Sequence, residues 1–157
     1  MVHSQRMFSA TVLCLAFLGV LRAGDAAPEG LFHDLSLETA LVQAAAQNRL
    51  VFIDFYTTRC GACQKLDENT WRDKKVIGLL KEKTIPLRIN AGADASLRKK
   101  YAIQAYPTLL LLRPDGSVQE RLLGYLPPEQ FVESMQGAMA EKNSPFQAQE
   151  MITEAKK

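Results

Sequence analysis

Between Leu50 and Cys63 an almost unbroken apolar run, Leu-Val-Phe-Ile-Asp-Phe-Tyr, leads into a Cys-Gly-Ala-Cys pair. The run is β-branched and aromatic and too short for a helix of its own, so it predicts a strand buried on both faces of a sheet. Its single charge, Asp54, is conspicuous in such a setting. After the pair, Gln64-Lys65-Leu66-Asp67-Glu68 favours a helix and places Cys60 at a strand-to-helix turn, on or next to the first helical residue. Unpaired backbone N–H groups and the helix dipole favour negative charge there, which stabilises a thiolate on Cys60.

A chain of 157 residues, 47% hydrophobic and 23% charged, has room for one packed domain. Nineteen basic and seventeen acidic residues are interspersed, which points away from nucleic acid as a partner. The triplet Arg98-Lys99-Lys100 reads as a solvated helix face. At the N-terminus, His3 and Arg6 precede an apolar run from Met7 to Leu21, followed by small and polar residues. This is the pattern of a signal peptide, 1–26, cut near Ala26; an uncleaved membrane anchor is the alternative. Cleavage removes Cys14 and leaves only Cys60 and Cys63. A disulfide between them closes a very small ring, unlike a structural staple, and export places it where disulfides are exchanged.

The remainder alternates between strand and helix signals. Residues 27–35 read as a linker and lead-in with Leu31-Phe32-His33 extended. Ser36 caps a helix whose Leu37, Ala40, Leu41, Ala44 and Ala45 form an apolar stripe, closed by Asn48 and Arg49. Asp73 caps a helix from Lys74 to Lys83 with Val76, Ile77 and Leu80 inward, and Trp71 anchors the break before it. A strand over Ile85–Ile89 follows, parallel to the first through a β-α-β connection, then a short helix from Ser96 to Tyr101. Thr108–Leu112 and Val118–Leu123 predict a hairpin around Arg113-Pro114-Asp115-Gly116, so the sheet ends antiparallel. Gly124 suggests a bulge or a close backbone approach, and Pro128 opens a closing helix lined by Phe131, Val132, Met135, Ala138 and Met139. From Asn143 to Lys157 the tail is polar.

Ile-Asp-Phe-Tyr before Cys-Gly-Ala-Cys, Tyr106-Pro107-Thr108 and Gly124 together resemble the thioredoxin family across 36–142. Leu-Asp-Glu-Asn-Thr-Trp is most similar to its exported members, such as the C-terminal domain of the electron carrier DsbD. Two positions depart from the pattern: Arg59 stands where the family usually has Trp, and Ala62 where thioredoxin has Pro. The resemblance implies an α/β thioredoxin fold, a central mixed β-sheet flanked by helices.

It also implies a mechanism. Cys60 attacks a substrate disulfide and Cys63 resolves the mixed disulfide, while Asp54 beneath Cys63 relays its proton. A buried structural acid is the other reading of Asp54. Pro107 is implied to face the pair in cis, with Tyr106, Arg59, Gly61 and Ala62 completing a surface that binds extended substrate through its main chain. By themselves, Pro107 also reads as an ordinary trans turn proline and Tyr106 as packing. The implied partners are protein disulfides and a membrane thiol carrier, with the protein monomeric, periplasmic or secreted, and free of any cofactor.

Zinc would need about four ligands, and His33 is the only histidine beyond the leader, whereas copper(I) needs only two thiolates. A metallochaperone, a disulfide oxidase or isomerase, and a non-catalytic binding domain are therefore the competing readings. Neutral Gly61 and Ala62, with Asp54 nearby, predict a reductant or carrier; Arg59 opposes this from an exposed position.

Overall fold

The computed structural model describes residues 27–140. The leader 1–26, the tail 143–157 and the last two positions of the expected 36–142 domain lie outside the described residues. In chain order the elements are α1 (Leu37–Gln47), β1 (Leu50–Tyr56), α2 (Gly61–Glu68), a 3-10 turn (Thr70–Arg72), α3 (Lys74–Lys83) and β2 (Thr84–Asn90). They are followed by α4 (Ala95–Lys100), β3 (Thr108–Leu112), β4 (Val118–Leu123) and α5 (Pro128–Ala140). The strands form one mixed sheet in the order β2-β1-β3-β4. β1 runs parallel to β2 and antiparallel to β3, and β4 returns antiparallel to β3. The expected mixed sheet flanked by helices is thus what the chain forms.

Side chains alternate across a strand, so β1 serves two cores. Val51, Ile53 and Phe55 meet Leu37, Ala40 and Ala44 of α1 together with Ile85, Leu87, Leu110 and Leu112. On the other face, Phe52 packs with Leu66 of α2, Trp71, Val76 and Leu80 of α3, and Phe131 and Met135 of α5. Asp54 belongs to this second face and is fully buried there.

The caps explain where the helices begin. The Ser36 hydroxyl accepts the Thr39 N–H at 3.2 Å, and the Asp73 carboxylate accepts those of Lys75 and Val76 at 2.8 and 3.1 Å. Asn48 ends α1 in the left-handed conformation. The α1 stripe is narrower than the sequence pattern predicts, because Ala45 is exposed. Eight residues on, the helix has turned about 80° away from the direction of Leu37.

Of the two expectations at Gly124, the close backbone approach is the one the structure shows, and the bulge lies elsewhere. Gly124 takes a positive φ of 79° just after β4 and donates its N–H to the Pro107 carbonyl at 2.9 Å. The register shifts instead at Leu111 and Leu112, opposite Gln119. Gln119 is buried, and its side-chain amide donates to the Ala138 carbonyl at 2.7 Å, tying β4 to the end of α5.

Trp71 is the hub of the second core. It meets Phe131, Phe32 and Phe52 edge-on, at centroid distances of 5.2, 5.7 and 5.8 Å. Residues 31–33 of the lead-in are packed as well: Leu31 is buried, and the His33 N–H donates to the Pro86 carbonyl at 2.8 Å on the outer edge of β2. Trp71→Ala should lower stability by about 3–5 kcal/mol, measured by urea unfolding. A loss below about 1 kcal/mol would mean that the ring is not the keystone of this core.

Candidate active site

The β1 strand ends at Tyr56, and Thr57 to Arg59 carry the chain to α2. Cys60 is the N-cap of that helix, in extended backbone conformation with φ −114° and ψ 101°. Its Sγ accepts the Cys63 N–H at 3.2 Å, so a helix-start donor that would otherwise go unpaired points at sulfur. The two cysteines form a disulfide with their Cα atoms 5.2 Å apart. They are not equivalent. Cys60 is partly open to solvent, whereas Cys63 is 2% exposed. Arg59 and Gly61 beside Cys60 are exposed and Ala62 is half-buried.

The sheet register gathers the other candidates at the same end. Phe55, next to the end of β1, lies opposite Thr108 at the start of β3, and Thr108 lies opposite Leu123 at the end of β4. The cysteine loop, the Tyr106–Pro107 loop and Gly124 therefore all emerge from one edge of the sheet. The Tyr106–Pro107 bond is cis; Pro107 is buried and Tyr106 is partly exposed, packed on the α1-side core. Exposed Leu123 adds apolar surface at this edge.

Asp54 does not stand alone under this loop. The parallel register sets it beside Arg88 of β2, whose Nε lies 3.3 Å from Asp54 Oδ2. The same guanidinium donates from Nη2 to Asp67 Oδ2 of α2 at 2.8 Å and lies over the Tyr56 ring, 4.2 Å from its centroid. Burial pushes the Asp54 carboxyl up to about 7; Arg88 pulls it down, Asp67 pushes it up, and the Trp71 indole lowers it least. Desolvation outweighs the single nearby cation. A carboxyl balanced near neutrality can accept and return a proton at working pH.

Arg88 and Asp67 escaped the reading of the sequence. Both carried a signal: Arg88 interrupts an apolar strand that pairs in parallel with the strand bearing Asp54, and Asp67 follows Cys63 by four residues, on the same helix face. Among the described residues no group of three or more His, Cys, Asp or Glu is arranged to hold a metal ion.

A family model for a thioredoxin-like domain matches residues 37–138. The chain is 35% identical over 92 residues to thioredoxin Y2 of Arabidopsis thaliana chloroplasts, covering 59% of this chain and 53% of that protein. It is 30% identical over 105 residues to the thiol:disulfide interchange protein DsbD of Yersinia pestis, covering 63% of this chain and 18% of that one. The chain thus spans about half of the first relative and about a fifth of the second. Among solved structures it resembles the oxidised C-terminal domain of Neisseria meningitidis DsbD, with TM-score 0.55 and 25% identity over 64% of this chain and 88% of that one.

The proton affinity of Asp54 makes stability depend on pH. With the folded value raised from 3.8 to about 7, the folded state holds a proton that the unfolded chain releases. This contribution is fully present below the unfolded value and is lost as pH rises through the folded one. Stability of the oxidised protein should fall by a few kcal/mol between about pH 4 and about pH 7. Asp54→Asn should flatten that slope in urea titrations; an equally steep slope in the variant would assign it to other groups.

Proposed function

The chain belongs to the thioredoxin-like family, and from that premise we propose that it is an exported thiol–disulfide oxidoreductase, working as a disulfide reductase or electron carrier. The observation that carries the reading is the asymmetry of the pair: Cys60 partly open at the start of α2, Cys63 buried above a sheet face that holds a proton-accepting carboxyl. Only the open sulfur can meet a bulky protein disulfide.

In the reduced protein the Cys60 thiolate attacks one sulfur of a substrate disulfide. The substrate S–S bond breaks, its second sulfur leaves as thiolate, and a mixed disulfide forms on Cys60. The Cys63 thiol then gives its proton toward Asp54 and attacks Cys60 Sγ. The mixed disulfide breaks, the substrate's other sulfur leaves as thiolate, and two electrons have passed from the protein to the substrate. What remains is the Cys60–Cys63 disulfide, the state seen in the structure. A dithiol donor, such as a membrane thiol carrier, must restore the reduced pair. Pro107, Tyr106 and Gly124 at the same sheet edge supply backbone and apolar surface for an extended substrate. Export rests on the leader composition, with a cut near Ala26 readable by N-terminal sequencing.

The direction of transfer follows from the surroundings of Cys60. A strong oxidant stabilises its reduced form through a very acidic nucleophile, as in DsbA at about −120 mV against about −270 mV for thioredoxin. Gly61 and Ala62 add no charge, an ionised Asp54 opposes a thiolate, and Arg59 is exposed, where its field is screened. Equilibration with glutathione should therefore give a potential nearer thioredoxin's; a value close to DsbA's would reverse the direction.

The roles of the two sulfurs are separable. Cys63→Ala should accumulate mixed disulfides with protein substrates, visible on non-reducing gels, and Cys60→Ala should not. The opposite pattern would exchange the assignments.

A further inference from the structure

The open sulfur of Cys60 sits at an edge that carries very few charges. Four segments reach this edge: 57–62 from the end of β1 into α2, 90–94 after β2, 104–107 before β3 and 123–127 at the end of β4. Across them the charged residues are Arg59 and Asp94. Asp94 is turned to the start of α4, where its Oδ1 accepts the Leu97 N–H at 2.9 Å and the Ser96 hydroxyl at 2.7 Å. These hydrogen bonds, the one from Leu97 foremost, hold its carboxyl below the usual carboxylate range. Its charge is therefore met within its own loop.

Arg59 is the opposite case. It immediately precedes Cys60, it is exposed, and among the described residues its side chain makes no hydrogen bond or ion pair. The side chain of Lys65 is likewise exposed and unpaired. Lying four residues after exposed Gly61, it shares that residue's face of α2. The exposed acid of α2, Glu68, comes at the far end of the helix from Cys60. Uncommitted charge around the open sulfur is thus positive.

Water and salt weaken the action of such a cation on Cys60 itself, but an incoming peptide displaces that water and brings its own charges close. Neighbouring Cα atoms of a peptide lie about 3.8 Å apart. A residue next to the attacked cysteine therefore comes within reach of a long side chain that leaves the backbone beside Cys60. Opposite charge at that point speeds encounter, and like charge slows it. We infer that Arg59, seconded by Lys65, is a specificity residue: the site takes protein disulfides whose cysteine is flanked by Asp or Glu in preference to those flanked by Lys or Arg. The inference rests on the oxidoreductase reading above and names the substrate class of the same site.

The test is single-turnover reduction of two model peptide disulfides by the pre-reduced protein, quenched in acid and resolved by chromatography. The peptides are alike except for Glu or Lys on both sides of the cysteine, and each rate is divided by that with dithiothreitol to remove intrinsic reactivity. At about 0.01 M salt the wild type should favour the Glu peptide by about 3-fold or more, and about 0.5 M salt should erase most of this preference. Arg59→Gln should cut the low-salt preference by about half or more, Arg59→Lys should keep most of it, and Arg59→Glu should invert it. Lys83→Gln removes a cation paired with Glu82 at the opposite end of the sheet and should leave the preference as in wild type. A preference that is absent in the wild type, or unmoved in Arg59→Gln, would overturn the inference. So would an equal slowing of both peptides in Arg59→Gln, which would place the action of the cation on the Cys60 thiolate; in either case the oxidoreductase reading survives. A wild-type protein that reduces neither peptide would instead overturn the oxidoreductase reading.

Discussion

Everything at the active edge depends on β1 being buried on both faces while carrying a carboxyl group. An isolated ionised carboxylate in such a place costs many kcal/mol, so the group must be paired, protonated, or balanced between the two. Asp54 is balanced: the parallel register with β2 brings Arg88 beside it, and Asp67 takes up part of the same guanidinium. The cluster is therefore neither a simple ion pair nor a neutral acid. Its proton affinity lies near neutrality because desolvation outweighs the one cation beside it, which offsets only part of the rise.

The same strand determines the asymmetry of the cysteines. Because β1 is central, the loop leaving it must rise over the sheet edge before α2 can descend on the face that Phe52 and Asp54 occupy. Cys60, at the top of that rise, caps the helix and stays partly open; Cys63, a turn further on, is carried down into the interface. The open and the buried sulfur are thus distinguished by position in one helical turn. No difference in residue type is required.

Trp71 connects stability with chemistry. Its ring holds together residues from β1, α5 and the lead-in segment, while its indole lowers the Asp54 carboxyl from the same position. Packing of the second core and the proton affinity of the site therefore share a residue. The lead-in segment is part of this arrangement, joined to the outer edge of β2 at Leu87.

What the sequence determined by itself was local. The apolar run of β1, the caps Ser36 and Asp73, the Arg113–Gly116 turn and the position of Cys60 at a helix start all follow from neighbours within a few residues. Short-range periodicity, turn chemistry and capping govern them, and they came out at nearly the expected boundaries. The tertiary structure decided the partners. Arg88 is thirty-four positions from Asp54 in the chain, and only the β1–β2 register places the two side by side. The bulge at Gln119 rather than Gly124, and the packing of Phe32 over Arg88, likewise depend on elements distant in sequence. Local propensity has no range over such distances. A buried charge is stable only with a partner, and which residue becomes that partner is settled when the strands pair and the helices close over them.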